Sequence, residues 1–286
     1  MSVLVVLQAS RQSATAYTSM KFVGIDIAWC ERKPSGVAVI DSDGTLIRAS
    51  GNLRSNDDIC EFAGLNDHED FVVTIDAPLI VKNADKQRPV ERELTAIFGP
   101  YDAGPFPANL SNAAFQPTGR VQKFARQLDA LGFKHEPKVA KQQPQRVFLE
   151  VFPSPAQVVL FPCLTHSGHT HCRPLRYKHK PGRSWVEVQC EWDMYRARVR
   201  SLQVKEPALK FSSDVSQALG IDVSELTGVR YKVLDDLVDG IFCAYLAYYF
   251  WYWGDERRWI IGDMNDGYVA LPRCGLLNCQ LNEDLR

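Results

Sequence analysis

The hydrophobic residues of this chain of 286 residues fall into short continuous runs, separated by segments with helical periodicity. The first run, 21–29, is typical of a strand that is buried on both faces. Two further runs, 36–40 and 45–49, are joined by Asp41-Ser42-Asp43-Gly44, and an Asp-Gly turn between β-rich runs is typical of a hairpin. The pattern therefore predicts three antiparallel strands at the start of the chain.

The remaining elements alternate between strand and helix. The runs 71–76, 146–152 and 268–271 predict three more strands. Helices are predicted at 56–65, 88–98, 121–131, 184–203 and 231–253. This order favours an α/β fold with a mixed sheet, antiparallel in its first three strands and flanked by helices, with a loop and helix insertion around 160–205. We expect one domain over 20–272, between a disordered tail at 1–19 and a C-terminal tail at 273–286.

Composition narrows the class of protein. Hydrophobic residues make up 45% of the chain and charged residues 23%, which is typical of a globular protein and excludes disordered and fibrous ones. The eight cysteines have no paired short spacing and follow no signal peptide, so reduced thiols in the cytoplasm are expected. The apolar run 237–253 is short for a membrane span and contains Asp239, which favours a buried helix.

Charge is unevenly distributed although the net charge is −1. Between Arg120 and Lys210, Lys and Arg outnumber Asp and Glu by 17 to 7, and the rest of the chain is acidic. A basic middle between acidic flanks suits a polyanionic partner that approaches an acidic metal site. The alternative is that the basic residues are dispersed over solvated surfaces.

Three acidic residues interrupt strands where an apolar residue is expected. Asp26 lies within the first strand, Asp76 ends the run 71–76, and Glu150 lies within the run 146–152. Burying an ionised carboxylate costs several kcal/mol unless it is paired or bound to metal. These positions therefore mark candidate functional residues.

A further acidic group lies at the start of the long apolar helix. Asp236 and Asp239 are three residues apart and share one helix face, whereas Asp235 is expected to point elsewhere. Carboxylates that converge from strands and a helix offer the oxygen ligands that Mg²⁺ or Mn²⁺ prefers, and two ions are predicted here. Such a pair of ions supports in-line displacement at phosphorus.

Structural roles are the alternatives for each of these residues. Asp76 precedes Ala77-Pro78 and could start a turn. Asp235 and Asp236 could favour the helix dipole at that end, and Asp26 and Glu150 could form buried ion pairs with Arg or Lys.

Six motifs follow one another in a fixed order. They are Gly24-Ile25-Asp26-Ile27-Ala28-Trp29, Ile75-Asp76-Ala77-Pro78-Leu79, Arg88-Pro89-Val90-Glu91-Arg92-Glu93, Glu150-Val151-Phe152-Pro153, Arg176-Tyr177-Lys178 and Asp235-Asp236-Leu237-Val238-Asp239-Gly240. Together they resemble a family of predicted nucleases with a ribonuclease-H-like fold, known as domain of unknown function 429, over roughly Met20 to Pro272.

The resemblance implies a ribonuclease-H-like mixed sheet and acidic metal ligands. It extends distantly to Holliday-junction resolvases, which take carboxylates from the first strand, the fourth strand and a late helix. Asp26, Asp76, Asp236 and Asp239 match that pattern, while Glu150 has no counterpart in the resolvases. Gly240 stands where the family often has alanine.

Basic residues near these motifs are candidates for contacts with substrate phosphates. The candidates are Arg88, Arg92, Lys178, Lys180 and Arg183. The segment 176–183 holds three of them and has no acidic residue. Phosphate contact is one interpretation, and a solvated loop is the other.

Two other clusters are given structural interpretations. Cys163, His166, His169, His171, Cys172 and His179 fit no familiar zinc motif, so a polar insertion is favoured over structural Zn²⁺. The aromatic run 245–253 distributes its rings around the helix, which favours core packing over base stacking.

The functional prediction is a metal-dependent nuclease that acts on DNA or RNA. One alternative is a non-catalytic nucleic-acid-binding or scaffold protein that retains the fold. A second is an ATP-dependent phosphotransferase, which needs a phosphate loop rich in glycine and threonine in the first hairpin. Here residues 27–32 are bulky and charged, which argues against ATP.

Overall fold

A computed structural model describes residues 20–161, 173–180, 182–226 and 228–273. The strands are β1 (Lys21–Asp26), β2 (Ser35–Asp41), β3 (Leu46–Leu53), β4 (Phe71–Ile75), β5 (Lys134–His135), β6 (Arg146–Glu150), β7 (Arg258–Asp263) and β8 (Gly267–Pro272). The helices are α1 (Asn56–Ala63), α2 (Pro89–Phe98), α3 (Arg120–Ala130), α4 (Pro153–Leu160), α5 (Trp185–Ser201), α6 (Ser213–Ala218) and α7 (Gly228–Trp253). Both predicted tails, apart from Arg273, lie outside the described residues.

The main sheet is mixed. Its strand order is β3-β2-β1-β4-β6-β5, with β1, β2 and β3 antiparallel and β4 parallel to β1. The β1–β2–β3 meander confirms the predicted antiparallel start, and the α/β sheet flanked by helices agrees with a ribonuclease-H-like arrangement. The continuous apolar runs predicted the strands of this sheet, because a central strand is buried on both faces.

The sequence analysis missed four elements, namely α4, α6, β5 and β7. Pro153, which follows the predicted strand 146–152, begins α4, because the missing N–H of proline costs nothing at the first position of a helix. The predicted strand 268–271 is one half of the β7–β8 hairpin. The short strand β5 has only two residues and gave no periodic signal.

The chain groups into two compact units. Of the described residues, those within 20–75, 144–146 and 175–248 form the first unit, and those within 76–143, 147–174 and 249–273 form the second. The first unit holds β1 to β4 with α5 and most of α7, and the second holds α2 to α4 with the β7–β8 hairpin. A single domain over 20–272 remains a prediction.

Helix α7 lies directly against the strand backbones of the first unit. A Cβ added at Gly24 on β1 would overlap the amide nitrogen of Ala244, and one added at Gly51 on β3 would overlap the carbonyl oxygen of Val233. The hydroxyl of Thr74 on β4 donates a hydrogen bond of 2.7 Å to the carbonyl oxygen of Cys243. Glycine is therefore required where the helix crosses the strands.

The same close approach brings two acidic positions together. Asp26 pairs with Gly36 in the β1–β2 ladder, and a Cβ at Gly36 would overlap the carbonyl oxygen of Asp236. On the helix, a Cβ at Gly240 would lie 2.8 Å from the amide nitrogen of Val37. This backbone contact explains why glycine occupies position 240.

We expect Gly24→Ala to destabilise the protein by about 3 kcal/mol, because the added methyl forces α7 away from β1 and overpacks the core. Urea unfolding followed by circular dichroism measures this. Gly99→Ala is the control, since its added Cβ would meet nothing closer than Thr95 Cγ2 at 3.7 Å. Equal stability of the two variants would contradict the proposed backbone contact.

Candidate functional site

Four carboxylates and two lysines of the first unit form one cluster, which we call the acidic centre. Asp26 ends β1, and α7 supplies the other acidic residues. Its members are Asp26, Asp235, Asp236, Asp239, Lys178 and Lys232. The three helix carboxylates are almost completely buried, whereas the side chain of Asp26 is 16% exposed.

Lys178 connects the strand carboxylate with the helix. Its ammonium nitrogen lies 2.6 Å from Asp239 Oδ2 and 4.0 Å from Asp26 Oδ2. Burial works to lower the pKa of Lys178, but Asp239 and Asp26 together raise it well above its usual value. Lys178 is therefore positively charged at neutral pH, and its side chain is partly exposed to solvent.

Lys232 compensates the other two carboxylates. Its ammonium donates to Asp235 Oδ2 at 3.0 Å and makes a close ion pair with Asp236 Oδ1. The remaining oxygens, Asp235 Oδ1 and Asp236 Oδ2, are buried and have no hydrogen-bond partner among the described residues. A buried carboxylate oxygen without a partner is costly, so these two atoms call for an additional cation or donor.

The electrostatic balance of the centre is unfavourable for ionised carboxylates. Burial raises the pKa of Asp236 to about 8, and the neighbouring charge of Asp26 adds to the effect. Burial also raises the pKa of Asp235 to about 6 and raises the pKa of Asp26, although Lys178 opposes both shifts. Carboxylates thus outnumber ammonium groups by two in a poorly solvated space.

Asp239 differs from the other carboxylates because protein donors occupy both of its oxygens. Oδ1 accepts hydrogen bonds from the hydroxyls of Tyr195, at 3.0 Å, and Tyr177. Oδ2 receives the ammonium of Lys178. Asp26 and Asp239 are also within hydrogen-bonding reach of each other.

The prediction that Asp235 points elsewhere was wrong. Asp235 is 2% exposed, shares Lys232 with Asp236, and raises the pKa of Lys178. Positions four apart on a helix share a face, so the spacing of Asp235 and Asp239 contained this signal. Lys232 and Tyr195 were missed entirely, and Tyr177 was named only as part of the motif Arg176-Tyr177-Lys178. The spacing of Lys232 to Asp236 offered a further clue.

Glu150 lies in the second unit, in a buried ionic network. Its Oε1 accepts from Arg88 Nη2 at 2.7 Å, and its Oε2 accepts from Arg88 Nη1 at 3.1 Å and from the amide of Leu79 at 2.8 Å. Arg88 also donates to Glu91 Oε1 at 2.9 Å. Both carboxylates hold the pKa of Arg88 above its usual range despite burial. Glu150 and Arg88 therefore form the buried ion pair that was the structural alternative.

Tyr268 extends this network to a histidine. Its hydroxyl accepts a hydrogen bond of 3.0 Å from the amide of Glu150 and lies 2.9 Å from His135 Nε2. Burial lowers the pKa of His135 to about 4, so the ring is neutral when it shares this hydrogen bond with the tyrosine hydroxyl. The histidine ring stacks on Phe148 at a centroid distance of 4.6 Å.

The other predicted site residues have separate positions. Asp76, half-buried, directly follows β4 and belongs to the second unit. Arg92 is exposed on α2 and donates to the carbonyl of Gln87. Arg183 donates to the carbonyls of Arg176 and Lys178, each at 3.1 Å, and Lys180 is exposed.

The zinc candidates fall almost entirely on residues 162–172, which lie outside the described residues. His179 is described, and its ring contacts Trp185 edge-on at 5.4 Å. Among the described residues, no group of three or more His, Cys, Asp or Glu is arranged as a ready metal site. None of the described helices combines the length and apolarity that crossing a membrane requires.

The protein is therefore a mixed α/β protein with a buried acidic centre at the end of its first strand. The family model described as "Protein of unknown function (DUF429)" matches residues 24–265, so the chain belongs to that family. The match includes every residue of the acidic centre. No curated protein and no solved structure matches the chain.

We expect Glu150→Gln to destabilise the protein by about 3–5 kcal/mol, because it leaves the buried Arg88 without one of its two carboxylates. Chemical unfolding measures the change. The control is Glu256→Gln, which breaks an exposed ion pair with Lys141 and should cost at most about 1 kcal/mol. Similar losses in both variants would contradict a structural role for the Glu150 network.

We expect His135 to make stability fall in acid. The folded-state pKa of about 4 lies below the usual value of 6.5, so its contribution is complete above pH 6.5 and is lost as the pH falls towards 4. At pH 5 the loss is about 2 kcal/mol. The measurement is the unfolding free energy of wild type minus that of His135→Gln, at pH 7.5 and 5. A difference independent of pH would show that His135 is not held neutral.

Proposed function

We propose that this protein is a metal-dependent nuclease that hydrolyses phosphodiester bonds of DNA or RNA. The observation that carries the proposal is the pair of buried, unpartnered oxygens on Asp235 and Asp236 in a centre where carboxylates outnumber ammonium groups. A purely structural cluster gains stability when such charges are replaced by apolar residues. Their presence therefore supports a bound cation.

The donor set fits a hard divalent cation such as Mg²⁺ or Mn²⁺. All the available donors are carboxylate oxygens, which these ions prefer over nitrogen or sulfur. Asp26 and Asp236 would hold the metal, and Asp236 Oδ2 has no hydrogen-bond partner among the described residues. Asp76 stays a predicted ligand for a second ion. A divalent ion would supply Lewis-acid activation for displacement at phosphorus.

Positive charge next to the centre supports nucleic acid as the substrate. Burial lowers the pKa of Lys180, and the neighbouring charges of Arg183 and Lys178 lower it further. Cations concentrated in this way favour a polyanion, because they contact phosphates and release counterions. The resemblance of the ordered motifs to predicted nucleases supports the same conclusion.

A non-catalytic nucleic-acid-binding protein is the second candidate. It is favoured by the two lysines, which already neutralise part of the acidic charge without any metal. In that case the centre is an ion-pair network that fixes the basic segment 176–183. Metal binding separates the two candidates, because only the nuclease requires it.

We expect Mg²⁺ or Mn²⁺ to stabilise the wild-type protein, by about 2.7 kcal/mol at one hundred times the dissociation constant. We also expect cleavage within a panel of single strands, duplexes, RNA–DNA hybrids and four-way junctions. Asp26→Asn and Asp236→Asn should lose both effects, because each removes a proposed ligand. Thermal unfolding and gel electrophoresis measure them.

Asp193→Asn is the matched control, since that carboxylate is exposed on α5 and pairs with Arg196 on the same helix. It should retain stabilisation and cleavage. Absence of both effects in the wild type would refute the nuclease and leave the binding protein. Cleavage that persists in Asp26→Asn would place the chemistry elsewhere.

A further inference from the structure

The contacts of Asp239 assign it a different role from that of its neighbours. Its carboxylate is 2% exposed, and both oxygens are occupied by hydroxyl or ammonium donors of the chain. A metal ion at Asp239 Oδ1 would have to displace a tyrosine hydroxyl, and one at Oδ2 would stand directly beside the ammonium of Lys178. Asp236, in contrast, has an oxygen that accepts from no donor in the described part of the chain.

The tyrosine donors are rigidly held. The rings of Tyr177 and Tyr195 stack with centroids 3.9 Å apart and planes only 6° apart, and Trp192 packs edge-on against both. The hydroxyl of Tyr231 donates to the carbonyl of Tyr177, which fixes the backbone directly before Lys178. Asp239 is thereby fixed in one orientation before any ligand arrives.

Lys178 faces outward from this fixed carboxylate. Its side chain is 38% exposed, whereas Asp239 is buried, so the lysine spans from the interior to solvent. Asp239 takes one of the three ammonium protons, and at 4.0 Å Asp26 Oδ2 is too far for a direct hydrogen bond. The ammonium is thus placed beside Asp26 with capacity for a further acceptor.

We infer that Lys178 binds a phosphate of the substrate beside the metal ligands Asp26 and Asp236. Asp239, in this scheme, is a positioning residue that holds Lys178 and does not coordinate the metal. The inference rests on the proposed function, because it places the phosphate next to the metal site. The group that Lys178 contacts is a phosphodiester oxygen. Asp236 and Asp239 therefore have different roles although they lie on the same helix.

The first test measures binding of a fluorescein-labelled 20-nucleotide single-stranded DNA in EDTA, across a range of salt concentrations. Each phosphate contact on a single strand contributes about 0.7 to the slope of log affinity against log salt. Lys178→Met should lower the slope by about that amount, and Lys178→Arg should restore it. The control is Lys210→Met, which removes an exposed lysine paired with Asp43 and should leave the slope unchanged.

Asp239→Asn and Tyr195→Phe test the positioning role. Both should weaken DNA binding in the same direction as Lys178→Met, yet both should retain stabilisation by Mg²⁺ or Mn²⁺ in thermal unfolding. Tyr195→Phe keeps the ring stack and serves if Asp239→Asn does not fold. Loss of metal stabilisation in Asp239→Asn, with the wild type stabilised, would make Asp239 a ligand and overturn the inference.

Failure of the proposed function gives a different result. Without metal stabilisation of the wild type, the nuclease proposal falls, while the salt slope of Lys178→Met still decides whether Lys178 binds phosphate. A slope equal to that of wild type would refute the phosphate contact whatever the metal result.

Discussion

The direct contact between helix α7 and the strand backbones is the constraint on which the rest of the first unit depends. A helix packed through side chains would stand farther from the sheet, and its carboxylates would not reach the end of β1. Glycines at 24, 36 and 51 remove the side chains in the way, and Gly240 does the same from the helix. The acidic centre therefore depends on the missing side chains of these four glycines as well as on the acidic residues themselves.

Buried charge is handled in opposite ways in the Glu150 network and in the acidic centre. In the second unit, Arg88 is matched by Glu91 and Glu150, and every Glu150 oxygen has a donor. The acidic centre leaves Asp235 and Asp236 each with an unpartnered oxygen. A buried ionic network in which every oxygen has a donor stabilises the fold, whereas one with unpartnered oxygens can gain stability by binding a ligand. This contrast separates a structural carboxylate from a candidate ligand more clearly than burial does.

Much of the fold could be predicted from the sequence, because strands buried on both faces give continuous apolar runs. The antiparallel start and the long helix followed from that pattern, whereas two-residue β5 has too few positions to show one. Asp26 and Glu150 looked alike in the sequence because both interrupt apolar runs, although the structure gives them different surroundings. Whether a carboxylate is structural or a candidate ligand depends on its hydrogen-bond partners. Partners such as Tyr195 come from distant segments of the chain and leave no local signal in the sequence.

The unpartnered oxygens at Asp235 and Asp236 also bear on how relatives of this chain would evolve. Selection for thermal tolerance alone would favour neutral residues there, since an amide removes like-charge repulsion without changing size. Under the proposed nuclease function, a relative with asparagine at these positions and the four glycines intact would be a pseudoenzyme that kept its architecture. Acids retained at such a site in an otherwise heat-adapted sequence would mark continued selection for chemistry.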